Sequence, residues 1–296
     1  LLAAIPASAR IGLAVSGGPD SLALLLLAAT ERPGQVQAAT VDHGLRAEAR
    51  AEAEAVARIC AERGVPHEIL TVDVQGSLQA AARSARYSAL ASWCQAHRLS
   101  HLATAHHLDD QAETVLMRLA RGAGLAGLSG IRAERALAPG VRLVRPLLGL
   151  RKTELEAIVA AAGITPARDP SNDNPRFDRT AARRLLGQTE LFDPARIAHS
   201  AAILAEAEAA LVWATEQIEA ERVTPAGLDP SDLPAELVRR LVLRQFARFG
   251  VAPGGPELAR LIGALEAGRA ATLGGVKATP GKLWRFAPAP PRRNRT

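Results

Sequence analysis

Ile11-Gly12-Leu13-Ala14-Val15 runs into Ser16-Gly17-Gly18-Pro19-Asp20-Ser21 and then into the apolar stretch Leu22 to Ala29. The first segment reads as a buried strand and the last as a helix. A glycine pair at a strand-to-helix turn lets bare backbone come close to a ligand. The helix behind it offers unpaired N–H groups and about half a positive charge, which suits an anion. The hydroxyls of Ser16 and Ser21 add further donors. The turn has neither the longer glycine spacing nor the GK[ST] ending of the commoner nucleotide loop. With no lysine to reach terminal phosphates, it suits holding pyrophosphate as a leaving group.

Strand and helix signals keep alternating outward from this turn. Strands are predicted at 11–15, 36–42, 67–73 and 100–105, and helices at 21–30, 46–63, 77–98 and 109–121. That spacing predicts an α/β fold, a doubly wound and mostly parallel sheet. Ligands of such sheets bind beyond the carboxyl ends of the strands. Three polar clusters fall there: the glycine turn, Asp42-His43 after the second strand, and His106-His107 after the fourth. Arg121 to Gly130 (RGAGLAGLSG) reads as a flexible loop. Thr153 and Glu156 stand at capping-box spacing. Asp169 to Pro175 is a run of turn formers, followed by a basic helix with Arg179, Arg183 and Arg184.

Residues 195–222 read as one long alanine-rich helix, with further helices at 235–249 and 256–268. Gly274 to Phe286 reads as a hairpin around Pro280-Gly281, and the tail from Ala287 is rich in proline and arginine. The expected organisation is a catalytic α/β domain at 1–190, a helical linker at 191–225, a small α+β C-terminal domain at 226–286 and a disordered basic tail at 287–296.

A chain of 296 residues is long enough for one large and one smaller core. Its 48% hydrophobic and 22% charged residues match a water-soluble balance, and the apolar runs look too short for a membrane span. No basic-then-apolar leader precedes the first strand, which argues for the cytoplasm. The chain starts at Leu1 with Met117 as its single methionine, so the initiator is expected upstream. Cys60 and Cys94 form no CxxC pair and read as small core residues of a reducing compartment. The net charge is +6, and Lys152, Lys277 and Lys282 are the only lysines, so arginine carries the excess. A guanidinium binds phosphate through a bidentate fork, so a polyanionic partner weighs evenly against mere compositional bias.

SGGPDS, VDHGLR (41–46), ATAHHLDDQAET (103–114), the RGxGxxGLxG loop and DPSN (169–172) occur in this order. Together they resemble the tRNA(Ile)-lysidine synthetases, a branch of the PP-loop ATP pyrophosphatases. The resemblance covers about residues 11–186 and is loose beyond them. SGGxDS alone marks only the PP-loop group; HHxDDQxET followed by DPSN narrows it. The resemblance implies that ATP adenylates the C2 oxygen of wobble cytidine 34 in a CAU-anticodon isoleucine tRNA and releases pyrophosphate. Free lysine then displaces AMP, giving lysidine. A PP-loop tRNA 2-thiolase is the enzymatic alternative, and a non-catalytic tRNA-binding protein of the same fold is the other.

By motif position, Ser16, Gly17, Gly18, Pro19, Asp20 and Ser21 are expected to hold ATP phosphates. Asp20 either orients the loop or meets Mg²⁺. Asp42 and His43 fit the nucleoside half of ATP or the reacting cytidine. His106, His107, Asp109, Asp110 and Glu113 form the sharpest cluster, since a helix begun here shows its carboxylates on one face. A zinc site lacks a third histidine, so Mg²⁺ with ATP oxygens fits better, with Asp110 and Asp20 as its ligands. The same acids suit the lysine ammonium. With an ordinary pKa of about 10.4, on the order of a few in ten thousand such amines are free at neutral pH, so a base is needed. His106, His107 or a carboxylate of the cluster is the candidate. Arg83, Arg86 and Tyr87 match a family ARxxRY element and are expected to meet phosphate or tRNA. Arg145, Arg151, Arg179 and Arg183 are carried over as contacts to the tRNA backbone. Around 179–190 the sequence departs from the family's RNxxR pattern and following proline. Association of two chains into a homodimer stays open.

Overall fold

The apolar run ahead of the glycine turn forms β1 (Ile11–Ala14), the inner strand of a six-stranded sheet. The computed structural model describes residues 1–42, 47–72, 79–167, 178–189 and 191–290. Its elements divide into two units, Leu1–Ala205 and Glu206–Thr296.

In the first unit, α1 (Pro19–Glu31), β2 (Val36–Asp42), α2 (Ala47–Glu62), β3 (His67–Thr71), α3 (Gln79–Ala96), β4 (His101–Ala103) and α4 (Leu108–Ala120) follow β1. These fall on the predicted segments. Two further strands, β5 (Glu134–Ala138) and β6 (Val141–Val144), form a hairpin that the sequence reading does not contain. The sheet order is β3-β2-β1-β4-β6-β5, parallel except for the edge strand β5. The chain winds from β1 outward to β3 and then crosses to β4 on the other side of β1. That reversal opens a crevice between the ends of β1 and β4, where such sheets bind ligands.

Apolar side chains cover both faces of the sheet. Leu22, Leu24 and Leu25 of α1 pack with Val56 and Cys60 of α2 and with Leu155 and Val159. The last two belong to α6 (Lys152–Ala161), which follows the short α5 (Leu125–Leu128). On the opposite face Tyr87, Leu90, Trp93 and Cys94 of α3 pack against Leu102 and Leu143. Gly12 makes that packing fit: a Cβ there would lie 2.6 Å from the Trp93 ring. Neither cysteine is paired, and burial pushes both thiols up to about 12, which makes them inert.

The predicted capping box at Thr153 and Glu156 lies two residues earlier, at Arg151 and Glu154. Helix α6 begins at Lys152, and the Arg151 N–H donates to Glu154 Oε2 at 2.6 Å. Thr153 already lies inside the first turn. Next come α7 (Asp178–Gln188) and α8 (Pro194–Arg222). By length and composition α8 would pass for a membrane span, since an 18-residue stretch of it has a mean hydropathy of 1.3, contrary to the sequence expectation. Alanine carries that index, and Glu206 and Glu208 interrupt it.

In the second unit, α9 (Ala235–Ala247) and α10 (Gly255–Glu266) pack against a three-stranded antiparallel sheet. A short β7–β8 pair (Val223–Thr224, Gly227–Leu228) precedes them. The sheet comprises β9 (Ala271–Leu273), β10 (Val276–Thr279) and β11 (Arg285–Pro288). Phe246, Leu241, Leu261, Val276 and Trp284 fill its core. Gly274 and Gly275, at φ +55° and +78°, make the tight β9–β10 turn. Strand β11 carries ordered pairing past Phe286 to Pro288, where the sequence predicts a disordered tail.

Candidate active site

Gly17 carries the strained part of the glycine turn, at φ +84°. A Cβ on it would lie 3.3 Å from Val56 Cγ2, so both conformation and space call for glycine. Gly18 caps α1 with no side chain taking the first-turn N–H groups, which leaves them to a ligand. The two serines brace the turn. Ser16 N–H donates to Ser21 Oγ at 3.1 Å, the two hydroxyls lie 3.2 Å apart, and Ser21 Oγ–H donates to Gly18 O at 3.0 Å. Ser16 is exposed, and Ser21 is buried and holds the backbone of the turn. Ala167 N–H donates to Gly17 O at 2.9 Å. The DPSN stretch at 169–172 lies outside the described residues, as does His43.

His107, at the end of β4, is the N-cap of α4 and is buried. Its Nδ1 accepts from the Asp110 backbone N–H at 3.4 Å, and the His107 backbone N–H donates to Asp110 Oδ2 at 3.2 Å. This bonding assigns the ring proton to Nε2. Nε2 lies 3.7 Å from Asp20 Oδ2 and 3.6 Å from Asp110 Oδ2. His107 therefore ties the glycine turn after β1 to the acid cluster after β4. Asp20 Oδ1 is buried without a hydrogen-bond partner, and burial raises the Asp20 carboxyl above the usual range. His106 faces differently. Its Nδ1 is 3.0 Å from Thr104 Oγ1, and burial pushes its pKa down to about 4.

The acids of α4 split between two helices. Asp110 and Glu113 face α7: Arg183 Nε donates to Glu113 Oε1 at 2.8 Å, while Arg179 Nε lies 3.2 Å from Glu113 Oε2 and its Nη1 3.8 Å from Asp110 Oδ1. Asp109 instead turns to α6. It accepts from Arg151 Nε at 3.2 Å and from the Lys152 N–H at 2.8 Å. Steps of 100° along a helix put Asp109 and Asp110 on opposite flanks of Glu113, so the single acidic face expected from the sequence divides. Arg151, Arg179 and Arg183 thus each meet a carboxylate. Asp42 is buried at the carboxyl end of β2, beside β1.

The other predicted arginines gather elsewhere on the rim. The guanidinium carbons of Arg83, Arg86 and Arg135 lie 5.1, 5.5 and 5.4 Å from the centre of the Tyr87 ring. Buried Arg145 donates through Nη1 to Arg132 O and lies within electrostatic reach of Tyr87. Sequence reasoning passed over Arg135, which sits inside β5 and carries no local signal. It also passed over Gln111 and Arg118, which hold the glycine-rich loop. Gln111 Nε2 donates to Ile131 O at 3.3 Å, and Arg118 Nη1 donates to Gly127 O and Gly130 O at 2.8 and 2.7 Å.

The donor set fits Mg²⁺. Among the described residues, no group of three or more histidine, cysteine or acidic side chains is arranged to hold a metal ion by itself. Mg²⁺ needs only one or two carboxylates beside phosphate and water oxygens. The orphaned Asp20 Oδ1 and the nearby Asp110 supply such donors.

A family model described as a PP-loop domain matches residues 2–190. The chain is 47% identical over 300 residues to a tRNA(Ile)-lysidine synthase of Zymomonas mobilis, covering 97% of this chain and 91% of that protein. It is likewise 47% identical over 306 residues to a tRNA(Ile)-lysidine synthase of Novosphingobium aromaticivorans, covering 98% and 92%. Among solved structures, the U34-tRNA thiolase NcsA of Methanococcus maripaludis superposes with a TM-score of 0.56 at 19% identity, over 67% of this chain and 72% of that one. That likeness concerns the fold alone.

Proposed function

The chain belongs to the tRNA(Ile)-lysidine synthases, ATP-dependent ligases built on a PP-loop domain, and from that premise we propose how its residues divide the reaction. The substrates of such an enzyme are an isoleucine tRNA, lysine and ATP. The finer reading is that the wobble cytidine of a CAU anticodon is the target. Its C2 oxygen attacks the α-phosphorus of ATP, and pyrophosphate leaves. The lysine ε-amine then bonds to C2, and AMP departs with the oxygen it activated. A ring carbonyl oxygen leaves poorly until it is esterified, so both halves of the reaction need one pocket.

One observation carries this reading: His107 Nε2 stands within 3.7 Å of Asp20 on the turn after β1 and 3.6 Å of Asp110 on the helix after β4. The phosphate-holding turn and the acid cluster therefore share one crevice. Gly17, Gly18, Ser16 and the α1 N-terminus hold the departing pyrophosphate, with Pro19 fixing the helix start and Ser21 the backbone. Asp20 and Asp110 would hold Mg²⁺, which when bound neutralises phosphate oxygens. Asp42 and Asp110 are the carboxylates for the lysine ammonium. His106, His107 or a carboxylate of the cluster accepts the proton as the amine attacks. His43, on the same rim by sequence, belongs to the nucleoside contacts.

Asp109 and Glu113 work through the arginines they bind. Asp109 joins α4 to the start of α6 through Arg151, and Glu113 joins α4 to α7 through Arg179 and Arg183. Arg83, Arg86, Tyr87 and Arg145 face the RNA. The compartment is the cytoplasm, where tRNA, lysine and ATP meet.

The test is nucleotide turnover. AMP release should require lysine and a CAU-anticodon isoleucine tRNA together; release that proceeds equally without the tRNA contradicts the reading.

A further inference from the structure

The arginines of the first unit fall into two electrostatic groups. Arg151, Arg179 and Arg183 lie against Asp109, Asp110 and Glu113. Among the described residues, Arg83, Arg86, Arg135 and Arg145 make no ion pair; the first three gather on one phenol ring, and Arg145 lies within electrostatic reach of it. Like charges so placed repel one another, and a buried guanidinium without a counter-charge is costly. Arg145 is 7% exposed, and its Nε is buried with no hydrogen-bond partner. The Tyr87 ring face and the Arg132 carbonyl offset part of that cost, and an anion would complete the cluster.

The space for that anion is present. A groove of about 640 Å³ is lined by Arg83, Ser84, Tyr87, Ser88 and Arg135. Its arginine end lies at the carboxyl rim of the sheet. Helix α3 starts there, Arg145 directly follows β6, and Glu134 of the antiparallel edge strand pairs with Val144 at the end of β6. Arg83 and Arg145 act electrostatically on His106, so the cluster neighbours the proposed reacting centre. Guanidinium forks and serine hydroxyls suit phosphate oxygens, and the stacked ring suits an adjoining base.

We propose that the α3–β5 groove is a phosphodiester seat for the RNA strand next to the reacting cytidine, with Arg135 as its outer wall. The acid-paired arginines Arg151, Arg179 and Arg183 make no comparable RNA contact. This rests on the lysidine-synthase reading given above and adds to it a site and a residue.

The experiment uses the full chain and its Arg135→Ala and Arg135→Lys variants. Affinity for an unmodified CAU-anticodon isoleucine tRNA transcript is followed across a salt series, and affinity for ATP and for inorganic phosphate is measured in parallel. Arg135→Ala should weaken tRNA binding about tenfold at low salt and reduce the slope of log K against log salt by about one. ATP affinity should stay within about twofold of the parent, as no triphosphate contact is removed. Arg135→Lys keeps the charge and should recover the slope while binding between the other two. Unchanged tRNA affinity and slope in a folded Arg135→Ala protein would overturn the seat. A loss of ATP or phosphate affinity equal to the tRNA loss would also overturn it, by assigning the cluster to the nucleotide. Failure of the parent chain itself to bind this tRNA would instead count against the underlying reading.

Discussion

Gly17 is the residue on which the nucleotide turn depends, because its backbone sits at φ +84° and its missing side chain leaves room for Val56. Gly17→Ala would add roughly 1–2 kcal/mol of backbone strain, and the turn would relax away from its ligand geometry. ATP affinity, measured by calorimetry, should fall at least tenfold while the melting temperature drops by only a few degrees. Equal ATP binding would show that the turn does not cradle phosphate. At this scale the sequence was legible wherever chemistry is local: the glycine pair and the acid run both lie where their motifs put them. It was not legible where a partner is distant in sequence. Asp109 meets Arg151 across 42 positions and Glu113 meets Arg183 across 70, and no local pattern encodes either pair. The six arginines carried over by motif therefore look alike in sequence, while the folded rim separates paired from unpaired ones.

Elements were read well where periodicity was strong and poorly where propensity pointed elsewhere. Strand β5 (ERALA) has no β-branched residue, and its composition suits a helix. Only its pairing with β6 at the sheet edge makes it a strand, and Arg135 went unnoticed with it. The short β9 was similarly hidden, although the Gly274-Gly275 turn beside it is a two-residue hairpin signal. Within the C-terminal unit, the helices are joined by charge. Arg240 of α9 donates to both Glu208 carboxylate oxygens, and Arg244 and Arg248 reach Glu219. Both side chains of the Arg240–Glu208 pair are about nine-tenths buried. Removing one partner strands a buried charge, so Glu208→Ala should cost about 3 kcal/mol in that unit. Urea unfolding followed by Trp284 fluorescence, in a protein whose other two tryptophans are replaced, should move to lower denaturant. An unchanged midpoint would mean that the pair is electrostatically neutral to folding.

At the scale of the whole molecule, His67, His101 and His106 share one behaviour: burial lowers each pKa below the ordinary value of 6.5. The unfolded chain then binds protons at these sites before the folded one does, so stability rises with pH across that window. It is fully present above about pH 6.5 and is lost as pH falls toward about 4, the value to which His106 is driven. The unfolding midpoint in urea should be lower at pH 5.5 than at pH 7.5, and equal midpoints would remove the argument. The account as a whole rests on one crevice, between β1 and β4, that activates a nucleobase oxygen with AMP and lets an amine displace it. Mass spectrometry of nucleosides from a CAU-anticodon isoleucine tRNA, incubated with the protein, ATP and isotope-labelled lysine, tests this most directly. The account predicts that the label appears in the wobble cytidine, in step with AMP release. ATP consumed with every cytidine left unlabelled would contradict it.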